Sequence, residues 1–145
     1  MSKGNTFENE LLEHVLNNAA LALIGDAGGL QPSAAAGSLY LSLHTADPGE
    51  AGTQETSEAD YTSYARVAVS REGAGWTVTA NSAALAANAN FPASTGGTNA
   101  LTYFGVGTAS TGAGKLLYSG RITPGINVVS GVVPRLTTGT TIVEN

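Results

Sequence analysis

The sequence predicts a mainly β protein: an antiparallel β-sandwich or barrel-like domain that is preceded by one α-helix. Apolar residues recur at helical spacing only near the start of the chain. Afterwards, short runs rich in Val, Ile, Leu and Tyr alternate with polar residues, and turn-forming residues separate these runs at intervals of roughly 8–12 positions. A hydrophobic content of 42% in 145 residues is enough for a packed core and argues against a disordered chain.

The first predicted element is a helix whose apolar positions are Phe7, Leu11, Leu12, Val15, Leu16, Ala19 and Leu23. Thr6 or Asn5 is the candidate N-cap, because either side chain can accept a hydrogen bond from the backbone of the first turn. The glycines within 25–29 are expected to end the helix, and a linker of small residues follows. We therefore predict an N-terminal helix and linker arm at 1–37 and a single β-sandwich domain at 38–145.

The β region begins with a predicted strand at 39–44. Leucines alternate there with Tyr, Ser and His, a pattern that is typical of a strand with one buried face. Asp47, Pro48 and Gly49 then predict a type II turn. Proline fixes φ at one corner of such a turn, and glycine adopts the positive φ that the next corner requires.

An acidic, polar loop is predicted at 50–63, before a strand that begins at Arg66. Arg66 stands between an alanine and a valine, and we expect it to pair with a loop carboxylate, either Glu58 or Asp60, and so to pin the loop. Oxygen ligands for calcium are plentiful here, but the spacing of an EF-hand is absent. We therefore predict no metal site.

The rest of the chain predicts further short strands and turns. A hairpin turn at 72–75 leads into a strand at 76–79. The pattern at 81–90 fits either a strand edge or an irregular loop. The strand at 101–108 is apolar with two glycines, which is typical of a crowded strand. The other predicted strands are 66–70, 116–118, 121–122, 126–129, 132–133 and 140–143, and the aromatic residues expected in the core are Trp76, Tyr103 and Phe104.

The residues offer little chemistry, and we predict neither catalytic residues nor a cofactor. The chain has no cysteine, which excludes thiol catalysis and Cys-based zinc sites. The glycine-rich stretch 105–115 is not a phosphate loop, because Leu116 follows its Gly-Lys pair where Ser or Thr is required. His44, Asp47 and a serine could be imagined as a triad, but no Gly-x-Ser-x-Gly element is present. A structural or turn-capping role is expected for His44.

The net charge is −5, and it is unevenly spread along the chain. Residues 1–72 carry ten of the eleven acids and three of the six bases, whereas 73–145 carry one acid and three bases. The acidic total argues against nucleic-acid binding, which needs a basic face. The sequence also predicts no signal peptide and no membrane span.

Five segments resemble a family of small virion structural proteins from tailed bacteriophages, variously labelled tail fibre, minor tail or capsid decoration proteins. They are 5–12 (NTFENELL), 39–52 (LYLSLHTADPGEAG), 64–69 (YARVAV), 104–107 (FGVG) and 114–120 (GKLLYSG). Together they span most of the chain, and the LHTADPG run is fairly specific to this group. The resemblance brings no catalytic motif with it.

The resemblance implies a non-enzymatic protein that is assembled in the host cytoplasm and located in the virion. We expect a capsid cement or decoration subunit that binds the major capsid protein or other virion proteins as a homo-oligomer, with a trimer favoured. No heptad run or shaft repeat is present. The alternative is a tail, collar or fibre-associated protein that contacts host-surface glycans. The candidate assembly arm is the face of the first helix that carries Phe7, Leu11, Leu12, Val15 and Leu16.

Overall fold

The computed structural model of the protein describes residues 1–145 and confirms the predicted fold class. The fold is mainly β, with three antiparallel sheets and a single N-terminal helix. The elements are α1 (Asn5–Asn17), β1 (Ser38–His44), β2 (Val67–Ser70), β3 (Trp76–Thr79), β4 (Ser82–Leu85), β5 (Ala89–Asn90), β6 (Asn99–Gly107), β7 (Leu116–Val128), β8 (Arg135–Leu136) and β9 (Thr141–Val143).

The chain forms two compact units, each assembled from segments that are distant in sequence. The first unit comprises Met1–Ser38, Val69–Asn88 and Thr137–Asn145, and the second comprises Leu39–Ala68 and Ala89–Leu136. Alternation of apolar residues does not encode such long-range grouping. The division into an arm at 1–37 and a domain at 38–145 stays a prediction.

In the first unit, α1 packs against a three-stranded sheet of order β3-β4-β9. Leu12 and Leu16 of the helix are fully buried, as are Trp76 of β3 and Leu85 of β4. Burying a leucine side chain contributes about 1.5–3 kcal/mol. A helix of 13 residues is marginal by itself, so this packing is what stabilises it.

The helix ends at Asn17, so the prediction that it extends to Leu23 is wrong. Asn18 adopts a left-handed φ of 54°, and its backbone N–H donates a hydrogen bond to the carbonyl oxygen of Glu13. Asparagine tolerates this conformation better than most residues, and the helical hydrogen-bond pattern stops there. The helix therefore ends at the left-handed Asn18, although apolar residues continue at helical spacing beyond it.

The predicted N-cap is also wrong, because Asn5 and Thr6 are already helical. Gly4 occupies the N-cap position and makes no side-chain hydrogen bond. The Glu8 backbone N–H donates to the Gly4 carbonyl at 3.0 Å and so closes the first turn. Glycine is tolerated at this position, although it lacks the side-chain oxygen on which the prediction relied.

The four-stranded sheet has the order β2-β1-β6-β7. β1 and β6 are antiparallel, with Leu41 opposite Val106 and Leu43 opposite Phe104. β7 is a single strand of 13 residues, where the sequence pattern predicts three shorter ones. Leu101 pairs with Ile126 and Tyr103 pairs with Arg121, so residues 122–125 of β7 bulge out of the ladder. Pairing with β6 resumes on both sides of this bulge, and β7 therefore remains one strand.

Strand β1 departs from the predicted half-buried pattern, because Ser42 and His44 are fully buried along with its leucines. β1 lies inside the sheet between β2 and β6, and its polar side chains bond to each other instead of facing water. The predicted hairpin at 72–75 is wrong as well. A turn does form there, but β2 and β3 belong to different sheets.

Two further segments differ from simple alternation. The sequence leaves 81–90 undecided between a strand edge and an irregular loop, and the structure has strands β4 and β5 there, with β5 paired to β8. The strand predicted at 132–133 is absent, because the chain turns there, with the Val132 N–H bonded to the Val129 carbonyl at 3.1 Å.

Candidate functional site

Asp47, Pro48 and Gly49 lie in the irregular segment that follows β1. Gly49 has a φ of 69°, the positive value that the third position of a type II turn requires. The Asp47 Oδ1 atom accepts a hydrogen bond from the Gly49 N–H at 2.9 Å. This part of the chain borders a surface cleft of about 400 Å³ that is lined by Asp47, Gly49, Glu50, Gly52, Leu116, Leu117, Tyr118 and Ser119.

Arg66 makes a bidentate ion pair with Glu58. Its Nε donates to Oε1 at 2.6 Å, and its Nη2 donates to Oε2 at 2.7 Å. The guanidinium also donates to the carbonyl oxygens of Ala109 at 2.9 Å and Gly112 at 2.7 Å. The Arg66 side chain is only 2% exposed. It therefore joins the segment 45–64 to the loop 108–115, both within the second unit.

Glu58 also bonds to Tyr64, which completes this cluster. The Tyr64 hydroxyl donates to Glu58 Oε1 at 2.8 Å and accepts from the Leu43 N–H at 3.0 Å. The hydrogen bond to Glu58 raises the pKa of the Arg66 guanidinium, and burial raises the pKa of the Tyr64 hydroxyl. Both groups keep their protons at neutral pH, so neither can act as a general base. The arrangement is suited to holding loops rather than to proton transfer.

Asp60, the other carboxylate expected near Arg66, has a different partner. Its Oδ1 accepts from the Asn99 Nδ2 at 2.8 Å. The Asn99 Oδ1 in turn accepts from the backbone N–H groups of Asp60 at 3.0 Å and Tyr61 at 2.9 Å. Of the two alternatives, the fold thus brings Glu58 to Arg66 and ties Asp60 to the start of β6.

Gln54 is a residue that the sequence does not single out, yet it is completely buried. Its Nε2 donates to the Tyr40 carbonyl at 3.2 Å, and its Oε1 accepts from the Ala109 N–H at 2.9 Å. A Cβ at Gly107 or Gly114 would lie 2.1 Å from a Gln54 side-chain atom. The missing side chains of these glycines create the space that Gln54 fills, which explains two of the four glycines in the stretch 105–115.

Ser42 and His44 form a hydrogen-bonded pair inside the second unit. The Ser42 Oγ lies 2.8 Å from the His44 Nε2, and the His44 Nδ1 lies 2.8 Å from the Thr56 carbonyl oxygen. Because a carbonyl can only accept, Nδ1 carries the proton and the neutral Nε2 accepts from the serine hydroxyl. Burial lowers the pKa of His44 against the opposing effect of the Thr56 hydrogen bond.

The Ser42–His44 pair has two members of a catalytic triad but no access for a substrate. Neither side chain is exposed, and Gly105 of β6 covers the pair so closely that a Cβ there would lie 2.6 Å from the Ser42 Oγ. The pair therefore fixes the segment that contains Thr56 against β1, which is a structural role.

The five residues of the candidate assembly arm lie in different environments on α1. Leu12 and Leu16 are buried in the first unit, Leu11 and Val15 are half-buried, and Phe7 is 38% exposed. The two fully buried leucines are thus unavailable to a partner in this fold.

Ligand chemistry is sparse across the chain. No group of three or more His, Asp or Glu side chains is placed to hold a metal ion. The helix α1 is too short and too polar to span a bilayer. The side chains of Arg66, Gln54 and His44 each bond to the backbone of a neighbouring loop.

Residues 2–144 match the family model described as Podophage GP4 fiber I protein gp80. The chain belongs to this family. No curated protein shows significant sequence similarity to the chain. The Podophage GP4 fiber I match spans both compact units, so the whole fold described above is that of a phage virion structural protein. A fibre protein family suggests a role other than catalysis.

Proposed function

We propose that the protein is a tail- or fibre-associated structural component of a podophage virion and has no enzymatic role. The observation that carries this proposal is the match of residues 2–144 to a family described as a fibre protein. That description favours the tail alternative over the capsid cement function that the sequence resemblance implied first.

The architecture supports a compact part of a fibre assembly rather than its shaft. A fibre shaft needs a repeat or a heptad pattern, and this chain has neither. Each unit is instead assembled from segments that are distant in sequence, and loops of the second unit are fixed by buried polar side chains such as Arg66 and Gln54. Loops held in this way keep their surface in one shape, which suits repeated docking in an assembly.

The partners in this proposal are other virion proteins and further copies of the chain. A glycan-binding role in host attachment would need exposed aromatic rings around a concave face. The cleft beside Asp47 and Glu50 contains one aromatic residue, Tyr118, among its lining residues. Contact between structural subunits is therefore the better-supported function, and glycan contact ranks behind it.

Copy number per virion tests the proposal. Purified particles are digested, and peptides of this protein are quantified against isotope-labelled standards for the major capsid protein and for a tail protein. We expect a few to a few dozen copies, a small multiple of the symmetry of the tail. A number close to that of the major capsid protein would contradict the tail assignment and restore the capsid cement function.

A further inference from the structure

A loop of the first unit holds three aliphatic side chains in solvent: Leu23, Ile24 and, at its base, Leu30, which is 45% exposed. We call residues 21–30 the aliphatic loop. Leu21 and Leu30 close its base through two backbone hydrogen bonds of 2.9 and 2.8 Å. Between them, Leu23 is 81% exposed and Ile24 is 42% exposed. The loop therefore presents apolar surface without burying it against its own unit.

The conformation of this loop is fixed by internal bonds. The Asp26 Oδ1 accepts from the N–H groups of Gly28 at 2.8 Å and Gly29 at 3.0 Å. Gly29 has a positive φ, and a Cβ there would collide with the Leu21 carbonyl. Leu23 itself is left-handed, with a φ of 63°. A leucine in this strained conformation is rare, and no burial of its side chain offsets the strain.

The basic residues of the chain fall into two groups. Lys3 pairs with Glu144, Arg66 pairs with Glu58, and Arg71 donates to three backbone carbonyls. The other three are exposed and form no ion pair: Lys115, Arg121 and Arg135. All three belong to the second unit. Exposed cations without carboxylate partners are available to a partner molecule.

Arg135 stands next to a second exposed aliphatic surface. Val129 is 52% exposed and Val133 is 48% exposed, and a turn between them is closed by the hydrogen bond from Val132 to Val129. We call residues 129–135 the valine turn. The Arg135 Nε donates to the amide oxygen Oδ1 of Asn90 at 2.6 Å, which orients the guanidinium and leaves its two Nη groups for a carboxylate.

We propose that the aliphatic loop of one copy of this protein docks on the valine turn of a second copy. Leu23 and Ile24 would cover Val129 and Val133, and the Asp26 carboxylate would meet the Arg135 guanidinium. Both surfaces expose aliphatic side chains, three in the aliphatic loop and two in the valine turn, but the loop carries an acid and the turn carries a cation. The Asp26 Oδ1 already accepts two backbone hydrogen bonds, so its Oδ2 would accept from an Arg135 Nη group. A charge-assisted hydrogen bond of this kind adds orientation to the apolar contact.

The proposed contact is heterologous, because the two surfaces differ. Each copy can then give its loop to one neighbour and receive the loop of another, which permits oligomers larger than a dimer. The inference deepens the proposed function by naming the surface through which copies associate. It is tested in solution, so its failure would leave the copy number in the virion unaffected.

Sedimentation equilibrium of the full chain, over a range of concentrations and at low and high salt, tests the docking. We expect concentration-dependent association that weakens at high salt. The variants L23N/I24S and V129S/V133S should each weaken it about tenfold or more. Asparagine tolerates a left-handed φ, so L23N/I24S keeps the loop backbone. The control V143S, which alters an exposed valine of β9 outside both surfaces, should associate like the wild type.

Mixing the two double variants gives the decisive result. Each retains the surface that the other has lost, so an equimolar mixture should form a heterodimer and nothing larger. The proposal is overturned if the wild type stays monomeric, if neither double variant weakens association, or if the mixture does not recover it. It is also overturned if L23N/I24S abolishes incorporation into particles while self-association is unchanged, because the loop would then contact a different virion subunit.

Discussion

The segment 45–64 and the aliphatic loop are both irregular backbone, but the first encloses polar side chains and the second exposes apolar ones. The segment buries Gln54 completely and leaves the Glu58 side chain only 14% exposed, and it satisfies both with hydrogen bonds. The aliphatic loop leaves Leu23 and Ile24 in solvent and is held by backbone bonds and Asp26. Enclosed polar groups therefore fix the shape of a unit, whereas exposed apolar groups are available for partners.

Removing the carboxylate that faces Arg66 should lower the free energy of unfolding more than any of the substitutions that follow. We expect E58A to lower the free energy of unfolding by about 3–5 kcal/mol, because it leaves a buried guanidinium without its counter-charge. Chemical denaturation monitored by tryptophan fluorescence measures the change. The control K3A breaks the more exposed pair with Glu144 and should cost at most about 1 kcal/mol. Equal costs for E58A and K3A would contradict the account.

Gln54 and Gly107 should show strong energetic coupling. We expect Q54A to cost about 2–3 kcal/mol, since it leaves buried backbone groups unpaired, and G107A to cost about 1–3 kcal/mol, since its Cβ would collide with Gln54. The double variant should lose about 1 kcal/mol or more less stability than the sum of the losses in the two single variants. A double-mutant cycle of unfolding free energies, from chemical denaturation, measures this coupling. G73A, whose Cβ would meet nothing, should be additive with Q54A.

The buried His44 should make the free energy of unfolding depend on pH. Its pKa is lowered in the folded protein, so below about pH 6.5 the unfolded chain binds the proton more readily than the folded one. Stability should therefore be full above that pH and should fall on acidification with a slope of at most about 1.4 kcal/mol per pH unit. Denaturation series over a range of pH measure this. The free energy of unfolding of H44Q should no longer fall on acidification, whereas that of H14Q should fall as in the wild type. If H44Q keeps the pH dependence, a group other than His44 causes it.

Replacing Leu23 should change the free energy of unfolding least, and any change should be an increase. We expect L23N to leave the free energy of unfolding unchanged or to raise it by up to about 1 kcal/mol, because asparagine relieves left-handed strain and no buried contact is lost. Thermal denaturation measures this. A clear loss of stability would show that the Leu23 side chain supports the fold and is not held out for a partner.

The sequence predicts local structure better than it predicts partners. The mainly β fold follows from apolar alternation, and the position of Arg66 between an alanine and a valine suggests a residue that needs a carboxylate. Choosing Glu58 over Asp60 requires the position of Asn99, which is distant in sequence. The alternation in 39–44 cannot reveal that β1 is central, so it predicts exposure for the buried Ser42 and His44.

The burial of Gln54 in a polar segment is hidden for a similar reason. Its space is created by Gly107 and Gly114, and those glycines are visible in the sequence only as a crowded strand and a turn. The end of α1 is hidden by a different effect, because a single left-handed asparagine outweighs apolar spacing that continues to Leu23. Both cases depend on tertiary contacts or on one backbone conformation rather than on periodicity.

The location of the protein on the virion distinguishes a tail or fibre subunit from a capsid subunit. Intact virions would be labelled with gold-conjugated antibodies raised against the full chain and imaged by electron microscopy, with antibodies to the major capsid protein as the reference pattern. A tail- or fibre-associated protein predicts gold confined to the tail end of the particle. Gold spread over the head, in the same pattern as the capsid reference, would contradict the account.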